Sequence, residues 1–122
     1  MKKFFAMFVT LIMSASAFAG SWKLVATENI FPNAPQMKIY PVNSKEVYSQ
    51  ILVRVNRGSV RIQNPMIWLK NKGQVSAFTI QGDYRGPRDA SANFLADSVR
   101  DIRMNVINLD RNMPAQIQIY LR

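Results

Sequence analysis

Seven side chains have the types and spacing to hold an anion: Arg54, Arg61, Arg85, Arg88 and Arg100, with Tyr84 and Tyr120. Arg54 and Arg61 belong to Tyr48–Gln63, YSQILVRVNRGSVRIQ, which reads as two short strands joined at Arg57-Gly58. A two-residue turn there sets Val55 against Val60, Arg54 against Arg61 and Val53 against Ile62. The aliphatic side chains then share one face and the two arginines stand opposite each other on the other. Like charges so placed repel. An anion between them relieves the repulsion, since the guanidinium fork suits phosphate, sulfate or carboxylate. The competing structural reading has the arginines splayed apart, or each meeting an acid on a neighbouring strand, such as Asp101. Arg57-Gly58 is a less typical hairpin pair than Asn-Gly, so a four-residue loop including Asn56 and Ser59 stays open. Arg85 and Arg88 lie in GDYRGPRDAS, the longest polar stretch, where binding groups often sit. Tyr84 beside them and Tyr120 on the last strand could stack on a sugar or base. Trp22 and Trp68 are more often core or inter-sheet residues.

Most catalytic chemistry is excluded by composition. The chain has no histidine and no cysteine, which removes imidazole acid–base work, thiol chemistry and the commonest zinc ligand sets. No Ser-x-x-Lys, Gly-x-Ser-x-Gly, phosphate-binding glycine loop or Asp-x-Asp-x-Asp calcium loop occurs. A glycosidase needs only two carboxylates, and Asp83, Asp89, Asp97 and Asp101 are the nearest candidates. The structural reading is stronger: Asp83 and Asp89 cap turns, while Asp97 and Asp101 pair with Arg100, Arg103 or another arginine. No enzyme activity, metal or cofactor is expected.

The first nineteen residues read as a secretory signal. Lys2 and Lys3 precede an apolar run, Phe4 to Met13, and Ala17-Phe18-Ala19 supplies small residues for cleavage after Ala19. The run is too short to span the bilayer as a helix. An exported protein, periplasmic or secreted, is expected, with one domain over residues 20–122. That part holds 14 Lys and Arg against seven Asp and Glu. Such an excess suits anionic polysaccharide, lipid headgroups or another envelope polymer, or serves solubility alone. No recognised nucleic-acid motif accompanies it.

The elements that must position these residues are strands. Ser21 to Thr27 alternates weakly and reads as an edge strand; Glu28 to Gln36 reads as a loop. Met37 to Tyr40 is a strand stopped by Pro41. Asn64-Pro65 breaks or bulges the second strand of the central hairpin. Met66 to Lys70 and Gln74 to Gln81 flank a turn at Asn71-Lys72-Gly73. Ala92 to Asp97 fits one helical turn or a short strand. Arg100 to Asn108 buries Ile102, Met104 and Val106, and Asp110 to Pro114 turns. In the last segment Ala115, Ile117, Ile119 and Leu121 alternate with Gln116, Gln118, Tyr120 and Arg122, the pattern of a half-buried strand. About eight short strands without a long helical period predict an all-β fold, an antiparallel β-sandwich of jelly-roll or Greek-key type.

From Tyr48 onward the order of features resembles an uncharacterised family of small exported bacterial β-sandwich proteins, a domain of unknown function. ILVRVNRGSVRI followed by MIWLKNKG carries the likeness. So do FLADSVRDI, with Asp97 and Arg100 near the family's aspartate and arginine, and the terminal AQIQIYL. SWKLV is similar to the family's opening strand. Val25 departs from a usual glycine, and asparagine and proline replace a charged run around Glu28 to Met37. The resemblance implies fold and export and brings no catalytic residue.

The expectation for function is therefore an exported, non-catalytic binding module that meets an anionic envelope component through a basic face. The alternative is a protein-interaction or assembly module that uses a sheet edge, with the regular terminal strand as the candidate edge.

Overall fold

The structure, a computed structural model, describes residues 21–122. The signal peptide expected over residues 1–19 lies outside the described residues. Eight strands follow in order: β1 (Lys23–Ile30), β2 (Met37–Pro41), β3 (Val47–Arg57), β4 (Ser59–Leu69), β5 (Gly73–Ser76), β6 (Gly82–Arg85), β7 (Arg88–Asn108) and β8 (Ala115–Leu121). All pairings are antiparallel. The path runs β1-β8-β3-β7-β4-β5, with β2 added to β7 and β6 added to β4.

This path folds over on itself at β7. The first half of that strand, as far as Ser98, pairs with β3. From Val99 onward it pairs with β4 and β2. One half of the sandwich is therefore β1-β8-β3-β7, and the other is β2-β7-β4 with β5 and β6. A single core lies between them, built from Ile51, Val53 and Val55 of β3, Val60, Ile62, Ile67 and Leu69 of β4, Ile102, Met104 and Val106 of β7, and the four apolar residues of β8. The period-two alternation of each strand decides which side chains enter it. Away from β7, the two halves are tied where Glu28 of β1 accepts from Tyr40 Oη at 2.6 Å and Lys38 Nζ at 3.2 Å, both on β2.

Two of the register shifts, both between β4 and β7, matter for the core. In β4 the buried positions switch from Val60 and Ile62 to Pro65, Ile67 and Leu69. The register slips between Gln63 and Met66, with Asn64 at φ 52°. Asn64-Pro65 thus bulges the strand without ending it, since proline has no N–H to give the ladder. A second slip opposite Trp68 and Leu69 leaves Arg100 as the extra residue of β7. The carbonyl of Arg100 accepts from the N–H groups of Val42 and Asn43, at 2.9 and 3.0 Å.

Three expectations are corrected. Tyr48 to Gln63 forms no hairpin: β3 pairs with β7 and β8, whereas β4 pairs with β5, β6 and β7. The chain instead turns a corner from one half of the sandwich to the other at Arg57-Gly58. The polar stretch Gly82 to Ser91 is largely strand, namely β6 and the start of the 21-residue β7, which also absorbs Ala92 to Asp97. The strand read as Gln74 to Gln81 ends at Ser76 and gives way to a 3-10 turn at Phe78–Ile80.

Gly58 has φ +78°, and a Cβ there would stand 2.8 Å from both Cα and Cβ of Ala115. Gly73 has the same φ with nothing within 4 Å. Gly58→Ala is expected to destabilise the fold by roughly 2–4 kcal/mol, from the left-handed backbone plus the overlap. Gly73→Ala is expected to cost only about 1–2 kcal/mol. Urea denaturation of the two variants side by side checks the difference.

Candidate functional site

The corner at Gly58 separates the two arginines that a hairpin would have paired. Arg54 stays on β3 and Arg61 goes to β4, and each meets its own carboxylate. Arg54 donates from Nε and Nη2 to the two oxygens of Asp89 at 2.9 and 3.0 Å, directly across the β3–β7 pair. Its guanidinium also lies 5.5 Å from the Tyr120 ring centroid. Arg61 donates to both oxygens of Asp83 at 2.7 and 3.2 Å, across the β4–β6 pair. Two parallel N–H bonds to one carboxylate are the strongest form of this contact. They hold Asp83 below the usual carboxylate range and raise Arg61 in turn.

Asp83 is a centre for three arginines. Arg85 Nη2 reaches its Oδ2 at 3.3 Å. Arg88 Nη1 donates to its backbone carbonyl at 2.6 Å and stacks 4.9 Å from the Tyr84 ring centroid. The local sequence explains the convergence. In β6, Asp83 and Arg85 share a face, and Gly86 at φ +82° turns the chain so that Arg88 returns beside them. Tyr84 points the other way, into the core, and its hydroxyl donates to the Ile80 carbonyl. Burial pushes that phenol up to about 12. Tyr84 supports a guanidinium with one ring face and offers no free hydroxyl, so its expected role of stacking on a ligand is corrected.

Two further expected site residues do not join this cluster. Tyr120 is half-buried on β8; its hydroxyl donates to Gln118 Oε1 at 2.9 Å and its ring lies beside Arg54. Arg100 lies far along β7 at the opposite end, 5.9 Å from the Trp68 ring centroid. Arg103 stacks on the same ring at 4.8 Å and pairs with Asp101 at 2.9 Å.

Asp101 pairs with Arg103 as expected, but the other three aspartates depart from their expected roles. Asp83 and Asp89 bind arginines, whereas Asp97 secures a turn. Its carboxylate, only 4% exposed, accepts from Asn71 N and Nδ2, Lys72 N and Ser98 N at 2.7 to 2.9 Å. Burial alone would push this carboxyl up, but the four donors outweigh it and bring it down to about 2. Asp97 thereby fixes the β4–β5 turn to the point where β7 changes partners.

All seven carboxylates are engaged inside the fold. Glu28, Glu46, Asp83, Asp89 and Asp101 are in ion pairs, Asp97 holds its turn, and Asp110 accepts from Asn112 N at 2.9 Å. Among the described residues no three His, Cys, Asp or Glu gather as metal ligands. The same end as Asp83 also carries Arg57, at the corner, and Arg111, in the β7–β8 loop. Leu109 N bonds to the Ser59 carbonyl at 2.9 Å, and Ser59 pairs with Arg85, which joins that loop, the corner and β6. Arg57 and Arg111 were not singled out from sequence; each sits in a turn with no motif to mark it.

The end near Gly58 thus holds six arginines, at 54, 57, 61, 85, 88 and 111, against the three aspartates 83, 89 and 110. No family model, curated protein or solved structure matches the chain. Its chemistry has to be read from this geometry.

Asp97 gives a testable pH dependence. Its depressed folded pKa stabilises the fold fully above the ordinary value of 3.8, and that contribution is lost as pH falls towards about 2. Asp97→Asn is expected to lower the thermal midpoint at neutral pH by roughly 5–10 °C. It should also take up about one proton fewer on acid unfolding. Thermal melts between pH 7 and pH 2 measure both.

Proposed function

We propose that this chain is an exported, non-catalytic module that binds an anionic ligand through the arginine end around Asp83. The observation that carries the reading is the convergence of Arg61, Arg85 and Arg88 on one aspartate. The carboxylate takes Arg61 and Arg85 and the backbone carbonyl takes Arg88, too few acceptors for three guanidiniums with five N–H donors each. Asp83 orders the forks in advance and leaves most of their hydrogen-bonding capacity to a ligand. Arg85 is 68% exposed, so its donors are within reach of solvent. Planar forks held in place suit phosphate, sulfate or carboxylate groups. Lys2 and Lys3, the apolar run of residues 4–13 and the small residues at Ala17 and Ala19 support the exported setting.

A second reading has one specific observation behind it. The terminal strand β8 is interior, between β1 and β3, so it offers no edge, and the assembly reading moves elsewhere. Among the described residues β2 pairs only with β7, and it exposes Met37 and Ile39. This edge could add a strand from a partner.

Two outcomes separate these readings. Binding to a soluble polyanion, dextran sulfate or polyphosphate, should weaken with salt, and the slope should fall by about one for each of Arg61→Ala, Arg85→Ala and Arg88→Ala. Asp83→Asn should bind roughly two- to fivefold more tightly, because an internal competitor for the forks is removed. No binding at low ionic strength would overturn the proposal. For the edge reading, light scattering should show self-association or partner complexes that Ile39→Lys abolishes; a monomer that captures no partner counts against it.

A further inference from the structure

The same end that gathers arginines also projects large apolar side chains from its loops. Phe31 is 60% exposed and Met113 50% exposed. Phe31 opens the loop after β1, and Met113 lies in the loop between β7 and β8. The two loops are tied together at their bases: Asn108 Nδ2 donates to the carbonyls of Ile30 and Met113, each at 2.8 Å. A turn closed by Ala34 N and the Phe31 carbonyl, at 3.1 Å, fixes the first loop. Asn112 N bonds to Asp110 Oδ1 at 2.9 Å and fixes the second.

These loops are continuous with the arginines. Ala115, two residues after Met113, packs directly on Gly58. Arg57 precedes that glycine, and Ser59 after it pairs with Arg85. Arg111 is in the same loop as Met113. One end of the sandwich therefore presents exposed apolar tips together with Arg57, Arg85, Arg88 and Arg111. A soluble polyanion has no use for the apolar tips. A bilayer with anionic headgroups uses both, since phosphodiesters meet arginine and the acyl boundary takes phenyl and thioether groups.

We infer that the anionic partner of this end is a lipid surface, with Phe31 and Met113 entering the headgroup boundary and the arginines binding phosphates above it. This rests on the arginine-end reading and adds the partner's chemistry. The opposite end serves as an internal control. It also has cations, at Lys45, Lys70, Lys72 and Arg100, and exposed Val47 and Leu95. There, however, the apolar residues belong to strands β3 and β7 rather than to loop tips.

The absence of cysteine makes a site-specific test available. Residues 20–122, which contain every core residue among those described, are prepared as Phe31→Cys, Met113→Cys and Val47→Cys and labelled with a polarity-sensitive fluorophore. With phosphatidylglycerol-containing vesicles, the labels at 31 and 113 should shift to the blue and the label at 47 should not. Neither should shift with vesicles of phosphatidylcholine alone. The double variant Phe31→Ser with Met113→Ser, whose circular dichroism should match the parent, should lose about tenfold or more in vesicle binding. It should keep its affinity for dextran sulfate.

Binding to dextran sulfate without binding to anionic vesicles would overturn this inference and leave the arginine-end reading standing. Binding to neither would overturn both. A blue shift at 47 in place of 31 and 113, or vesicle binding unchanged in the double variant, would also overturn it.

Discussion

The close approach of Gly58 to Ala115 is the constraint on which the rest of the arrangement depends. With φ +78° and no room for a Cβ, the chain leaves β3 and enters β4 on the other half of the sandwich. A hairpin at this point would have kept Arg54 and Arg61 on one face as opposed like charges. The corner gives each arginine a separate cross-strand aspartate. It also frees one edge of β4 to receive β6, which delivers Asp83, Arg85 and the turn to Arg88. The cluster exists because the hairpin does not.

Strand β7 is the complementary device. The corner at Gly58 and the loops that cross between the two halves pair no strand of one half with a strand of the other. A 21-residue strand that pairs first with β3 and then with β4 ties them along a seam. The change of partner occurs at Ser98 and Val99, and the buried carboxylate of Asp97 sits beside it with four donors. Burying a charge without such partners is costly. The carboxylate and the turn of Asn71 and Lys72 therefore require each other, and the seam has a fixed register.

Much of the fold was legible in the sequence, since it is carried by local alternation. Ile117, Ile119 and Leu121 enter the core as the period of two requires, as do Ile102, Met104 and Val106. The turn at Gly73 and the bulge at Asn64-Pro65 follow from backbone chemistry that any strand imposes. What was not legible is partner choice. Tyr48 to Gln63 has a hairpin's alternation and a turn glycine, yet the deciding contact is Ala115, more than fifty residues away in sequence. The polar stretch Gly82 to Ser91 reads as loop because its charges are uncompensated locally; as strand, Asp83 and Asp89 find Arg61 and Arg54 across the ladder. The site was half legible for the same reason. Arg61, Arg85 and Arg88 could be named as types, but their meeting point at Asp83 is a property of strand pairing.

Charge placement then limits where an anion can be met. Several arginines are matched: Arg54 with Asp89 and Arg61 with Asp83 across the ladder, and Arg103 with Asp101 along β7. The outer face of β8 and its neighbours is closed by amides that bond one another, as Asn56 does with Gln116 and Gln116 with Asn29. Among the described residues, cations with no carboxylate ion pair include the following at the two ends. One end has Arg57, Arg88 and Arg111; the other has Lys45, Lys70, Lys72 and Arg100. Lysine is a strongly hydrated point charge, and at the second end Lys72 Nζ donates to the Ala96 carbonyl at 3.0 Å. Arginine at the first end is already held, by the Asp83 carbonyl and the Tyr84 ring in the case of Arg88. Ordering a guanidinium before its ligand arrives lowers the entropy lost on binding. At this end Arg88 is therefore a cation that has no carboxylate partner among the described residues and is nonetheless held in place.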